Sequence, residues 1–195
     1  MAGFELSGAG GSSTYPGGIY MEYATASLSD CLIDGNAVYG IHMVSISDSY
    51  HADLNISDCT IQNTSSSDST TLPDGDGIYQ NWYSWVDTHA LAMSGLEITG
   101  NERYPMSVHA DSMVDLDDGS TYTGNGRDYL HVQGGYATTS GIWPALDADY
   151  LVQGDIYVQD SATSAVEITA DGLTLYMSTA HAILVGSAYL GDLVM

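Results

Sequence analysis

Tyr20, His42, Tyr79, His131 and Glu167 fall at one position of a short apolar-alternating segment, and Asn81 and His109 fall at the next outward position. Aromatic rings, imidazoles, amides and a carboxylate presented from one side of a strand are the chemistry that holds sugars. Rings stack on sugar faces, and polar groups supply directional hydrogen bonds. The stretch that follows Tyr79 adds Trp82 and Trp85 beside the same edge. The opposing view is structural. Outward strand positions favour tyrosine and threonine in any case, and the tryptophans would pack a long loop.

Arg103 and Arg127 are the chain's only cations apart from histidine, and each lies two residues beyond an asparagine, Asn101 or Asn125. Stacked on adjacent repeats, they would form a notch for a carboxylate or sulfate. The alternative is bridging to their neighbours Glu102 and Asp128, and exposed pairs of that kind contribute little. Asp74 and Asp76 sit in the turn Leu72-Pro-Asp-Gly-Asp-Gly77, part of an Asp-x-Asp-Gly calcium loop that lacks the later acidic ligand. Asp115, Asp117 and Asp118 form a second acidic cluster, and Asp147 and Asp149 a third. Calcium is therefore the one cofactor the residues suggest. The plain account of these clusters is a solvated acidic surface. His42, His109 and His131 lack the His-x-His or Glu-x-x-His spacing of a transition-metal site.

The elements that position these groups follow from composition and repetition. The formal charge is −23, with 25 acidic residues and no lysine, so nucleic acid and anionic membrane are poor partners. At 44% hydrophobic with fifteen tyrosines the chain has the means to fold. No apolar run is long enough to span a bilayer, and the first residues have no basic or apolar leader pattern.

Leu28-Ser-Asp-Cys-Leu-Ile-Asp-Gly-Asn36 repeats as Ile56-Ser-Asp-Cys-Thr-Ile-Gln-Asn-Thr64 and as Met93-Ser-Gly-Leu-Glu-Ile-Thr-Gly-Asn101. Two further copies with one extra residue are expected at Leu116 to Asn125 and at Val152 to Ser161. A second strand follows at a fixed offset and begins at Ile41, Met106, Leu130 and Val166, with Ile19 and Ile78 as equivalents. A coil of about 22 residues cannot bury its own apolar face and must stack on its neighbours. Stacking places Asn36, Thr64, Asn101, Asn125 and Ser161 in one turn column. It places Cys31, Cys59, Leu96, Ser120 and Ile156 in one inward column. Asparagine tolerates the left-handed turn expected there, and its amide can bond to the coils above and below. Cys31 and Cys59, stacked on adjacent coils, are spaced either for a disulfide or as two small buried hydrophobes.

Ser-Asp-Cys-x-Ile-x-Gly-Asn followed by Tyr-Gly-Ile-x-Met resembles the repeats of the right-handed parallel β-helix superfamily, which includes pectate lyases, tailspikes and surface adhesins. Gly17-Gly18-Ile19-Tyr20 is similar to the Gly-Gly-x-Tyr element of polymorphic outer-membrane repeats. The resemblance, which covers roughly residues 17–170, implies an all-β, right-handed, single-stranded parallel β-helix of six or seven coils; the solenoid is expected over residues 17–195, entered through a Gly/Ser-rich segment at 1–16. Both ends lack a polar cap, which suggests a fragment flanked by further repeats or domains. For catalysis the resemblance is poor. Polygalacturonase-like hydrolases use Asn-Thr-Asp, Asp-Asp, Gly-His-Gly and Arg-Ile-Lys elements, and this chain offers the bare pair Asp117-Asp118. Pectate lyases need a basic residue on the binding face, and neither arginine is expected there. A base drawn from Tyr79 or His131 with Glu167 is the remaining option.

The expected function is a non-catalytic secreted or cell-surface module, a stalk or adhesin segment that contacts an extracellular glycan or a host or matrix surface. The alternative is a calcium-dependent lyase or hydrolase of acidic glycans. A spacer without a ligand is the third reading.

Overall fold

The alternating segments stack as parallel strands in the computed structural model, which describes residues 3–10, 15–45, 51–66, 74–82, 90–158, 166–185 and 191–194. Every strand pairing among them is parallel. The chain is a parallel β-solenoid.

One seven-stranded sheet runs the length of the stack. Its strands are Ile19–Glu22, Tyr39–Ser45, Asp76–Trp82, Met106–Val108, Tyr129–Val132, Asp149–Val152 and Leu175–Met177. Ile19, Ile41, Ile78 and Met106 lie in register, and Leu130, Tyr150 and Leu175 continue the column. From Ile41 to Tyr150 these side chains are fully buried, and each such burial contributes about 2 kcal/mol.

Two more faces complete each upstream coil. Thr25–Ser29, Asp53–Ser57 and Leu91–Ser94 form one, and Glu5–Ser7, Leu32–Asp34, Thr60–Gln62 and Glu97–Thr99 the other. The repeated Ser-Asp-Cys motif turns the corner between them, where Asp30 and Asp58 take positive φ and Gly95 does the same on the next coil.

At the following corner the left-handed residue is not the expected asparagine but the one before it: Gly35, Asn63, Gly100 and Gly124. Asn36, Thr64 and Asn101 are instead buried and point into the stack. Asn101 Oδ1 accepts from Thr64 N–H at 3.1 Å, and Asn101 Nδ2 donates to Asn125 Oδ1 at 2.9 Å and to the Ile61 carbonyl at 3.3 Å. The expected column is present from Asn36 to Asn125; its side chains bond coil to coil from Thr64 N–H through Asn101 to Asn125, while Asn36 Oδ1 accepts from Ala9 N–H. Ser161 lies outside the described residues. Close packing over the ladder excludes a side chain at Gly77, where a Cβ would sit 2.6 Å from Ile98 and 2.7 Å from the Pro105 carbonyl.

The stack changes character at Ala110–Asp115, a 3-10 helix in place of a strand. Leu116 to Asn125 rejoins the stack by one bridge, Thr121 to Glu97. Asp117, Asp118 and Gly119 there are poor strand formers. Downstream the two shorter faces are rebuilt from Gly135–Ala137, Ile156–Val158 and Ile183–Val185, and from Gly141–Trp143, Val166–Ala170 and Gly191–Val194.

This rebuilding corrects three expectations. Val152 closes a strand of the long sheet and does not begin a copy of the Ser-Asp-Cys segment. Ile156 pairs with Gly135 and Ile183, so it leaves the Cys31–Cys59–Leu96–Ser120 column. Val166 and Glu167 belong to a different face from Ile41 and His42. A period of two marks a strand but not the face of the solenoid to which it belongs.

Candidate functional site

The outward side of the long sheet does collect the residues expected there. Tyr20, His42, Tyr79, Ser107 and His131 lie in register, and Leu151 and Tyr176 extend the column. Glu167 does not belong to it. The column is also not an open face: His42 is 5% exposed, His131 8% and Ser107 0%.

Two tyrosines close the site: Tyr39, which heads its strand, and Tyr104, which precedes the strand that begins at Met106. Tyr39 lies parallel to Tyr79, with ring centroids 4.5 Å apart and planes 6° apart, and its ring is 4.9 Å from His42. Tyr20 meets His42 edge-on at 5.3 Å, and Tyr15 meets Tyr20 at 5.1 Å. His42 therefore sits in an aromatic cage, with no well-formed hydrogen bond at either ring nitrogen. Burial lowers its pKa to about 4, a shift that the Pro16 carbonyl only partly opposes.

Tyr104 covers the next part of the column. Its ring stacks on His131 at 5.0 Å, with the Arg103 and Arg127 guanidinium carbons 4.5 Å and 5.3 Å from its centroid. Beneath it Asp76, wholly buried, accepts from Ser107 Oγ at 2.6 Å and from Tyr104 N–H at 3.2 Å. Arg103 Nε lies 3.6 Å from Asp76 Oδ1. Burial raises the Asp76 pKa to about 6 against the opposing pull of Arg103 and Ser107. Ser107 Oγ also lies 2.8 Å from His131 Nδ1. A hydroxyl has one proton; given to Asp76, it leaves Ser107 to accept from an Nδ1–H on His131. Burial, then the nearby Arg103, hold the His131 pKa at about 4.

The arginines stack as expected, with Arg127 N–H donating to the Arg103 carbonyl at 2.7 Å. Their partners are not the adjacent acids. Glu102 bonds to Ser66 N–H and Oγ, both at 2.7 Å, and Asp128 accepts from Asn125 N–H at 2.7 Å. Arg103 pairs with Asp76, and Arg127 donates to Tyr104 OH at 2.9 Å.

The remaining candidates disperse. Asn81 is half-buried beside Val44. Trp82 pairs through its backbone with Ser45, while its side chain and the whole of Trp85 lie outside the described residues. His109 is buried at the start of the 3-10 helix, where its N–H bonds to Gln80 Oε1. Glu167 borders an open depression of about 450 Å³ on another face, with Ser140, Gly141, Ile142 and Thr169. Asp74 is buried, and both Asp76 oxygens already serve protein partners. Among the described residues no three histidine, cysteine or acidic side chains converge to hold a metal ion.

The acidic residues have a different and unexpected use. Asp53, Glu102, Asp117, Asp147 and Asp155 each accept a backbone N–H from a neighbouring coil, those of Ala90, Ser66, Gly95, Tyr122 and Ala182. Asp111 holds both Thr138 and Thr139. These carboxylates staple coil to coil where a corner leaves donors unpaired. The Tyr39 and Tyr104 lids were equally unforeseen. The available signal was an aromatic residue two positions ahead of the inward Ile41 and Met106.

Cys31 and Cys59 stack as expected, and they are reduced thiols. Cys31 N–H donates to Cys59 Sγ at 3.3 Å, and each thiol donates to a carbonyl two residues back, Ser29 or Ser57.

No protein-family model, curated protein or solved structure matches the chain.

Proposed function

We propose that the chain is a non-catalytic secreted or cell-surface solenoid module, a rigid stalk or adhesin segment that makes glycan contacts along its tyrosine-rich face. The resemblance to the pectate-lyase-like β-helix repeats supports the scaffold half of this reading. The observation that carries the rest is the sealed Asp76–Ser107–His131 chain. Its order is acid–serine–imidazole, and the serine proton goes to Asp76, so none is left for the imidazole to take. A nucleophile relay needs the reverse, a base that accepts from the serine and an acid that orients that base. Ser107 is moreover wholly buried. The face is built to be stiff, and it exposes three rings: Tyr15 at 58%, Tyr129 at 36% and Tyr176 at 48%. Such rings stack on sugars without any chemical step.

The test is a glycan array probed with the purified chain, in calcium and in chelator, together with an assay for unsaturated uronate product. Binding unaffected by chelation, with no product, supports the proposal. Calcium-dependent cleavage overturns it in favour of a lyase. A chain that binds nothing is a spacer.

A further inference from the structure

We infer that the Arg127–Tyr104–Arg103 stack seats a single anionic group, carboxylate or sulfate, carried by an otherwise uncharged glycan; the inference rests on the glycan-binding reading above. The chain's only two arginines meet on one ring. Arg103 is committed to Asp76. Arg127 is exposed, and among the described residues its side chain makes one hydrogen bond, to Tyr104 OH, and no ion pair. A guanidinium has five N–H donors in a fixed fork, so most of Arg127's remain available to a planar or tetrahedral anion. Ring stacking and the Tyr104 hydroxyl hold the fork in place before a ligand arrives, which lowers the entropic cost of binding.

Charge decides how many anionic groups the ligand carries. At −23 the molecule repels a polyanion over the whole screening length, and two arginines cannot reverse that field. One isolated charge on a neutral chain meets little of this repulsion and gains the full local contact. Asp128, next to Arg127, is turned to Asn125 N–H. Immediately downstream, Tyr129 N–H bonds to the Arg127 carbonyl at 2.9 Å, and the exposed rings of Tyr129 and Tyr176 meet edge-to-face at 5.6 Å. They offer uncharged sugar units a platform beside the arginine.

Calorimetric titration of the full chain tests this with four probes: an unsubstituted xylo-oligosaccharide, the same oligomer bearing one glucuronate, a galacto-oligosaccharide bearing one sulfate, and polygalacturonate. At least one singly charged probe is expected to bind about tenfold tighter than the neutral oligomer, a gain that added salt erodes. The better of the two identifies the anion. Polygalacturonate is expected to bind more weakly than that probe. Arg127→Gln, at an exposed position, is expected to reduce the charged probe to the neutral level, and Tyr104→Phe to lose part of the gain while keeping the charge. Equal affinity of wild type and Arg127→Gln for the charged probes, or tightest binding of polygalacturonate, overturns the anion seat and leaves glycan binding intact. Failure of all four probes to bind overturns both.

Discussion

The Ser107 hydroxyl donates to Asp76 Oδ2 across 2.6 Å, joining two neighbouring coils inside the outer layer of the long sheet. Because the same oxygen faces His131 on the coil beyond, three successive coils are tied by one buried polar chain. Partnered polar groups of this kind are costly to break, since each one left behind is desolvated without compensation.

Ser107→Ala is expected to lower stability by about 3 kcal/mol, because Asp76 and His131 each lose a buried partner. Urea denaturation checks this. A loss below about 0.5 kcal/mol, the scale of an ordinary surface substitution, would show that the chain of bonds is not formed.

The imidazoles set a pH dependence. With folded pKa values near 4 against the ordinary imidazole value of 6.5, His42 and His131 add stability that is fully present above about pH 6.5 and lost as pH falls toward 4. Asp76, raised from 3.8 to about 6, acts oppositely: its contribution is present below 3.8 and lost as pH rises through 6. Two groups outweigh one, so stability should rise between pH 4 and 6.5. His42→Phe, which removes a titrating imidazole from an aromatic cage, should flatten that rise and be stabilising at pH 5. Denaturation midpoints at pH 5 and 7.5 provide the comparison.

In stronger acid the staples fail. Ser120 holds the Asp117 carboxyl below its usual range, and Ser66 does the same for Glu102. Their stability is present above the unfolded carboxylate pKa and lost as pH falls through the lower folded values. Asp117→Asn, which keeps an acceptor but does not titrate, should show a shallower acid limb in a circular-dichroism pH titration. An unchanged limb would mean that Asp117 carries none of it.

Asn101→Ala is expected to cost about 3 kcal/mol, because Thr64 N–H and the Ile61 carbonyl lose their bonds to the Asn101 side chain and Asn125 Oδ1 keeps only the Asn101 N–H. Thermal unfolding followed by tyrosine fluorescence will show whether Asn101→Thr, which copies the Thr64 rung, recovers part of the loss.

Cys31 and Cys59, at 4% and 2% exposure, should react with a thiol reagent only on unfolding, with two equivalents released together. Burial raises the Cys59 thiol to about 11, which further suppresses the reactive thiolate. Rapid reaction of either thiol in the native chain would contradict this burial.

The sequence by itself determined the stack. Ser-Asp-Cys-x-Ile and its copies repeat because each coil must present the same small or apolar residue to the next, so the register of Cys31 with Cys59, of Asn101 with Asn125 and of His42 with Tyr79 was legible in the spacing alone. Past Leu130 the spacing ceased to be informative. Strand alternation has the same period on all three faces, so Val166 and Glu167 read like Ile41 and His42 although they lie on another side. What covers a face was never in the pattern. That Tyr39 and Tyr104 fold over the long sheet, that Asp76 turns to Arg103 and Ser107, and that the carboxylates reach back to N–H groups of neighbouring coils all depend on contacts between coils about 22 to 37 residues apart in a repeating stack. Local periodicity fixes which way a side chain leaves the strand. Only the packed neighbours decide whether that direction leads to solvent, and here for His42, Ser107 and His131 it leads to a second buried layer.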